Sequence, residues 1–225
     1  MHAADHNKHG DSADRCAPGG ERIGQDALTT GCPAFQFGDA VKRALFLDRD
    51  GVVNVEVGYL HRTEEVRFVD GIFSLCRTAV RLGYRLIVVT NQAGIARGYY
   101  SEAVFHALME FMRDEFRVQG VELDAVYYCP FHPEHGVGEY KREHEDRKPG
   151  TGMLLRGARD FGVELSESVM IGDRCSDVMA ANAAGLRQAF LVSGTEAAGC
   201  SGTYLTVESL AEVERWLLVR DYQSC

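Results

Sequence analysis

Asp48 and Asp50 stand two residues apart in Asp48-Arg49-Asp50-Gly51, directly after the apolar run Ala44-Leu45-Phe46-Leu47. An apolar run bounded by glycine reads as a buried strand entering a turn. Residues two apart on an extended chain point the same way, so both carboxylates converge where strand meets loop. Carboxylates that close repel, and one pKa rises unless a cation or a proton intervenes. D-x-D-G alone suits a solvated turn equally well. An EF-hand is excluded, because two of its ligand positions would fall on Val52 and Tyr59.

Two further apolar runs end in reactive residues. Leu86-Ile87-Val88-Val89 leads into Thr90-Asn91-Gln92. Val169-Met170-Ile171-Gly172 leads into Asp173, with Asp177 following near a helix start. Arg147-Lys148-Pro149 precedes another helical stretch. Ligands of open α/β sheets bind beyond the carboxyl ends of the strands. Asp48 and Asp173 together offer hard oxygens suited to Mg²⁺. Thr90 and Asn91 supply neutral donors and Lys148 a point charge, all fit for phosphate oxygens. One carboxylate can attack phosphorus, and a second can serve as general acid and then base.

The elements that must position these groups alternate along the chain. Strands are predicted over 44–47, 66–69, 85–89, 125–128, 169–172 and 189–192. A helix capped by Asp70 is predicted to run through Leu82, closed by Gly83. The helix over 101–118 carries Val104, Leu108, Phe111, Met112 and Phe116 on its apolar face. Further helices are predicted over 152–161, 176–184 (closed by Gly185) and 208–218. This alternation predicts a doubly wound, Rossmann-like α/β fold with a mainly parallel sheet. Residues 1–40 are polar and aperiodic and are expected to form a disordered N-terminal extension, with His2, His6 and His9 solvated. Residues 41–225 are expected to form the folded domain.

The net charge of −9 argues against a nucleic-acid partner. Apolar runs reach only strand length, which predicts no membrane span and no secretory signal, hence a cytoplasmic protein. Seven scattered cysteines suggest free thiols in a reducing compartment.

Type, order and strand-end placement of Asp48-Arg49-Asp50-Gly51, Thr90, Lys148 and Gly172-Asp173 with Asp177 resemble the four motifs of the haloacid dehalogenase-like phosphohydrolases. Longer pieces are similar to the D-glycero-D-manno-heptose 1,7-bisphosphate 7-phosphatases. These are Asn54, Gly58-Tyr59, Val88 to Gly98, Tyr127-Tyr128-Cys129-Pro130, and Arg147-Lys148-Pro149 with Gly152-Met153-Leu154. The resemblance spans residues 44 to 220 and implies a capless fold. It implies Asp48 as nucleophile and Asp50 as acid and base. Mg²⁺ would lie between Asp48, the Asp50 carbonyl and Asp173, with Asp177 orienting the cluster. Thr90 and Asn91 would hold the transferring phosphoryl, and Lys148 would neutralise Asp48 and a phosphate oxygen. Glu56, Gly58, Tyr59 and Gln92 would contact substrate, and Arg147 and Arg174 a second phosphate. A small phosphorylated sugar is the expected partner, for a monomer or a homodimer.

The chain departs from the family at three places. Val52 stands where the superfamily commonly has Thr, removing a hydrogen bond to Asp50. Arg174 replaces a common Lys. The zinc positions of many relatives read Cys129, Phe131, His144 and Asp146. His132, His135 and His144 offer Cys129 alternative zinc partners, but a zinc-free loop is the expectation. Arg49 is expected to face solvent, and Arg97 either packs in its loop or meets substrate. Histidinol-phosphate phosphatase is the nearest alternative activity, and it would leave Arg147 and Arg174 without a second phosphate. A nucleic-acid 3′-phosphatase would need a basic stripe, which the chain lacks. A non-catalytic phosphate-binding module would have lost Asp48 or Asp50, and dehalogenation has no use for the Asp50 acid.

Overall fold

The computed structural model describes residues 42–192 and 200–222. The expectation for residues 1–40 lies outside these, as do His2, His6 and His9. The described chain alternates strand and helix. It begins β1 (Arg43–Leu47), α1 (Ile72–Arg81), β2 (Tyr84–Asn91), α2 (Ala93–Ala96), α3 (Glu102–Val118) and β3 (Ala125–Cys129). It continues with α4 (Gly152–Phe161), β4 (Val169–Gly172), α5 (Cys175–Ala183), β5 (Gln188–Val192), β6 (Leu205–Val207) and α6 (Leu210–Tyr222). The six strands form one sheet in the order β3-β2-β1-β4-β5-β6. Every neighbouring pair is parallel.

Alternation along β1 explains its central place. Leu45 and Leu47 enter one core with residues of α1, α3 and α6. Ala44 and Phe46 enter the other, with residues of α4 and α5. A strand buried on both faces must be apolar throughout, and β1 reads that way up to Asp48. Leu47 pairs with Val88 on β2 and Ile171 on β4, so β1 and β4 end together beside the last residues of β2, which runs on to Asn91. The order changes direction between β1 and β4, the crevice where such sheets bind ligands.

Several expected elements shift. Residues 66–69 form no strand; Phe68 only bridges Asn54. The α1 cap position is Gly71, leaving Asp70 outside the helix. On α3, Ser101 caps by accepting from the Val104 N–H. Phe105 and Met109, rather than the exposed Val104, complete its buried stripe. The short β6 carries no signal in the sequence, because Leu205-Thr206-Val207 has no surrounding period. The free-thiol expectation also fails at one pair: Cys175 and Cys200 form a disulfide across 25 residues of chain. Cys76 and Cys129 are buried free thiols.

Candidate active site

Asp48 leaves β1 with its N–H donated to the Ile171 carbonyl of β4 at 2.9 Å. That bond ties the two motif strands together at the point of chemistry. Asp48 Oδ1 accepts from the Arg49 N–H at 2.7 Å and pairs with Lys148 Nζ at 2.9 Å. Lys148 is 3% exposed, and its Nζ also meets Asp177 Oδ1 at 2.6 Å and the Val89 carbonyl at 2.8 Å. Lys148 thus braces the two carboxylates by charge and is anchored by its bond to the Val89 carbonyl.

Asn91 is tied to the same residue. Its Nδ2 donates to the Lys148 carbonyl and its Oδ1 accepts from the Lys148 N–H, both at 3.0 Å. One amide proton and the amide oxygen fix the backbone of Lys148, which leaves the second Nδ2 proton for a ligand in the cavity that Asn91 lines. Gln92 is likewise committed. Its Nε2 donates to Thr90 Oγ1 at 2.8 Å and Asp50 Oδ2 at 3.2 Å, and its Oε1 accepts from Tyr100 at 2.6 Å.

Asp173 and Asp177 follow β4. Asp177 Oδ2 accepts from the Arg174 N–H at 3.1 Å, closing the first turn of α5. Gly172 is required there, because a Cβ would overlap the Asp177 side chain. Gly51 meets two demands at once: its φ of +82° is left-handed, and a Cβ would strike the Asp173 carboxylate.

The donor set fits a hard divalent cation. Asp48, Asp173 and Asp177 each present an oxygen, all within 4.8 Å of one another. Buried Asp173 Oδ1 has no hydrogen-bond donor among the described residues; its cation contact is Arg174 Nε at 3.9 Å. Burial pushes Asp48 up to about 7; Lys148 opposes the shift, and the charges of Asp177 and Asp50 add to it. Burial, then the Asp177 charge, pushes Asp173 up to about 6. Burial works against the Lys148 charge, yet Asp177 and Asp48 outweigh it and hold its pKa above the usual lysine value. A site with this much unrelieved negative charge suits Mg²⁺.

A cavity of about 510 Å³ opens above these groups. It is lined by Asp48, Asp50, Thr90 and Lys148, and by all seven expected substrate residues: Glu56, Gly58, Tyr59, Asn91, Gln92, Arg147 and Arg174. Arg97 joins them, its buried Nε without a hydrogen-bond partner and its guanidinium 5.9 Å from the Tyr59 ring centre. Arg174 pairs with Glu56 at 3.2 Å. Arg147 has no carboxylate partner among the described residues; it donates to the Phe131 carbonyl at 3.2 Å. Burial lowers its pKa; Cys129 and Glu143 oppose this, while Arg97 and Arg174 add to it. Three guanidiniums crowd one wall, and an anion would relieve them.

Sequence reasoning missed two residues here. Arg49, expected in solvent, is fully buried and pairs with Asp50 at 2.8 Å. An alternating strand pattern would turn it outward, but the chain turns back after Asp48 and carries it under the loop. Tyr100, which locks Gln92, belongs to no motif that could have marked it.

His144 Nδ1 lies 3.7 Å from Asp146 Oδ2, but among the described residues Cys129, His132, His144 and Asp146 form no cluster of three ligand atoms. Cys129 Sγ faces the Phe131 carbonyl at 3.9 Å. The Nδ1 of His132 accepts from the Glu134 and His135 N–H groups, and that of His144 from the Asp146 N–H. Phe131 stacks on His144 with ring centres 4.6 Å apart, and the Arg142 guanidinium lies 3.9 Å from the Phe131 ring centre. Asp146 pairs with Arg156 at 2.6 Å. The loop is thus closed by a ring stack and an ion pair.

A parallel α/β sheet with Asp48, Asp50, Thr90 and Asp173 at the carboxyl ends of adjoining strands, and Lys148 brought in by the loop before α4, defines the HAD-like hydrolase class, and residues 146–213 match the HAD-hydrolase-like family. A D-glycero-alpha-D-manno-heptose-1,7-bisphosphate 7-phosphatase of Burkholderia mallei is 50% identical over 155 residues, 69% of this chain and 82% of that protein. A D-glycero-beta-D-manno-heptose-1,7-bisphosphate 7-phosphatase of Vibrio cholerae is 45% identical over 181 residues, 79% of this chain and 97% of that protein. The crystal structure of D,D-heptose 1,7-bisphosphate phosphatase from B. bronchiseptica, complexed with magnesium and phosphate, matches with a TM-score of 0.69 and 29% identity. That match covers 80% of this chain and 99% of the other. The chain belongs to the D-glycero-D-manno-heptose-1,7-bisphosphate 7-phosphatase family of HAD-like phosphatases.

Proposed function

We propose that this enzyme removes the 7-phosphate of D-glycero-D-manno-heptose 1,7-bisphosphate through an aspartyl-phosphate at Asp48. The observation that carries the reading is the fixing of Asp48 Oδ1 by Lys148 and the Arg49 N–H, beside Asp50, in a cavity walled by Arg97, Arg147 and Arg174. With one oxygen fixed, the other is left to attack phosphorus. The P–O bond to the sugar breaks as the Asp48–P bond forms, and Asp50 gives its proton to the departing sugar oxygen. Asp50 then takes a proton from water as that water attacks phosphorus, releasing phosphate and restoring Asp48. Asp48, Asp173 and the Asp50 carbonyl would hold Mg²⁺, which when bound supplies positive charge against the approach of one anion to another. Asp177 orients Lys148, and Thr90 faces the transferring group. The arginine wall takes the second phosphate, and Glu56, Gly58 and Tyr59 border the sugar. The loop carrying Cys129, His132, His144 and Asp146 works without zinc.

The substrate class also argues for a cytoplasmic enzyme, because a doubly phosphorylated sugar carries too much charge to cross a bilayer unaided. The test is phosphate release from both anomers of heptose 1,7-bisphosphate, histidinol phosphate and common sugar monophosphates. The bisphosphate is expected to give the highest kcat/KM. Preference for histidinol phosphate would contradict the reading.

A further inference from the structure

We infer that Arg49 is the positioning residue for Asp50, doing from beneath the loop what a hydroxyl at position 52 cannot do in this chain. The inference rests on the proposed role of Asp50 and extends it to a residue outside the cavity lining. Val52 is fully buried and offers Asp50 nothing. Arg49 Nη2 donates to both Asp50 oxygens at 2.8 Å, and its Nε donates to Oδ1 at 3.1 Å. Asn54 Nδ2 adds a bond to Oδ1 at 3.1 Å and Gln92 Nε2 one to Oδ2 at 3.2 Å.

Arg49 is itself held in place. Its Nη2 reaches the Leu60 carbonyl at 3.2 Å, and its guanidinium sits 5.7 Å from the Phe105 ring centre. The Val53 and Asn54 N–H groups both donate to its carbonyl, which curls the chain back over it. A guanidinium taken fully out of water is costly unless paired. Among the described residues, its carboxylate partner is Asp50 and no other. A planar fork on a carboxylate fixes the plane of that carboxylate as well as its distance, which an ammonium cannot do. Asp50, partly exposed and lining the cavity, is thus held from behind by Arg49.

A group that aims a general acid matters when the leaving group needs a proton. It matters little when the leaving group is a stable anion. Under kcat/KM, which reads the steps through departure of the leaving group, Arg49→Met should therefore hurt a sugar phosphate far more than p-nitrophenyl phosphate. The expected loss is about 100-fold on the sugar phosphate, in the range for general-acid catalysis, and about threefold on the aryl ester. Asp50→Asn should show the same selectivity. If Asp50→Asn shows none, the assigned role of Asp50 fails; if it does and Arg49→Met loses equally on both substrates, the inference about Arg49 is overturned. Should Arg49→Met not fold, Arg49→Lys reads the same ratio. It is expected to fall between the wild type and Asp50→Asn, and an unchanged ratio overturns the inference.

Discussion

Lys148 and Asp48 are joined at 2.9 Å in a site where neither is more than 7% exposed, and Lys148 reaches Asp177 from the same nitrogen. The cation is thus shared between the proposed nucleophile and the carboxylate that closes the first turn of α5. Removing it strands two buried charges, which costs about 3–5 kcal/mol. Lys148→Met is expected to lower the denaturation midpoint accordingly and to cut kcat at least 100-fold. Denaturant titration and steady-state kinetics check both. A variant of normal stability would show that the triad does not hold the fold together.

The raised carboxylates give a pH signature for metal binding. In the metal-free protein Asp48 is pushed up to about 7 and Asp173 up to about 6, from 3.8. A raised carboxylate pKa means that the folded state binds protons more tightly than the unfolded state. Stability from these groups is present below the unfolded value and is lost as pH rises through 6 to 7. Mg²⁺ binds the ionised folded form and restores it. The rise in Tm on adding Mg²⁺ to chelator-treated protein should be several degrees at about pH 8 and small at about pH 5. An equal rise at both would contradict the assignment of these carboxylates as ligands.

Arg147, like Arg97, is a guanidinium of the cavity wall that no described carboxylate balances, whereas Arg174 pairs with Glu56. Arg147→Ala should raise KM for a bisphosphate by about 10–100-fold, the worth of one or two charge-assisted hydrogen bonds. On a monophosphate the change should stay within about threefold. Equal losses on the two substrates would argue against a second-phosphate subsite.

Gly172→Ala tests how closely β4 and α5 must approach. The new Cβ overlaps the Asp177 side chain, whose displacement also disturbs Lys148. The expected cost is about 1–3 kcal/mol of stability, together with weakened Mg²⁺ binding by calorimetry. Unaltered Mg²⁺ affinity would show that Asp177 does not support the metal-binding carboxylates.

Much of this was legible from residue types alone. The strand-end motifs place Asp48, Thr90 and Asp173 because an apolar strand that stops at a polar residue stops at the sheet edge in any doubly wound fold. Roles were less legible than places. Asn91 and Lys148 read as phosphate donors, and only the fold shows that they engage each other and the carboxylates. Arg49 departs from the alternation because period-two reasoning ends where β1 ends, at Leu47, two residues earlier. Cys175 and Cys200 are 25 residues apart with no motif linking them, so their pairing depends on α5 meeting the chain after β5. In the loop from Cys129 to Asp146, nothing in the residue types signals the Phe131–His144 stack, which depends on the loop folding back on itself.

The central claim, that Asp48 is the nucleophile, is tested most directly by acid-quenching the enzyme during turnover and reducing any acyl phosphate with borohydride. Peptide mapping then reads the modified position. The account predicts homoserine at position 48 in the wild type, dependent on substrate and Mg²⁺, and neither mark nor turnover in Asp48→Asn. Homoserine at another aspartate, or turnover retained by Asp48→Asn, would contradict it.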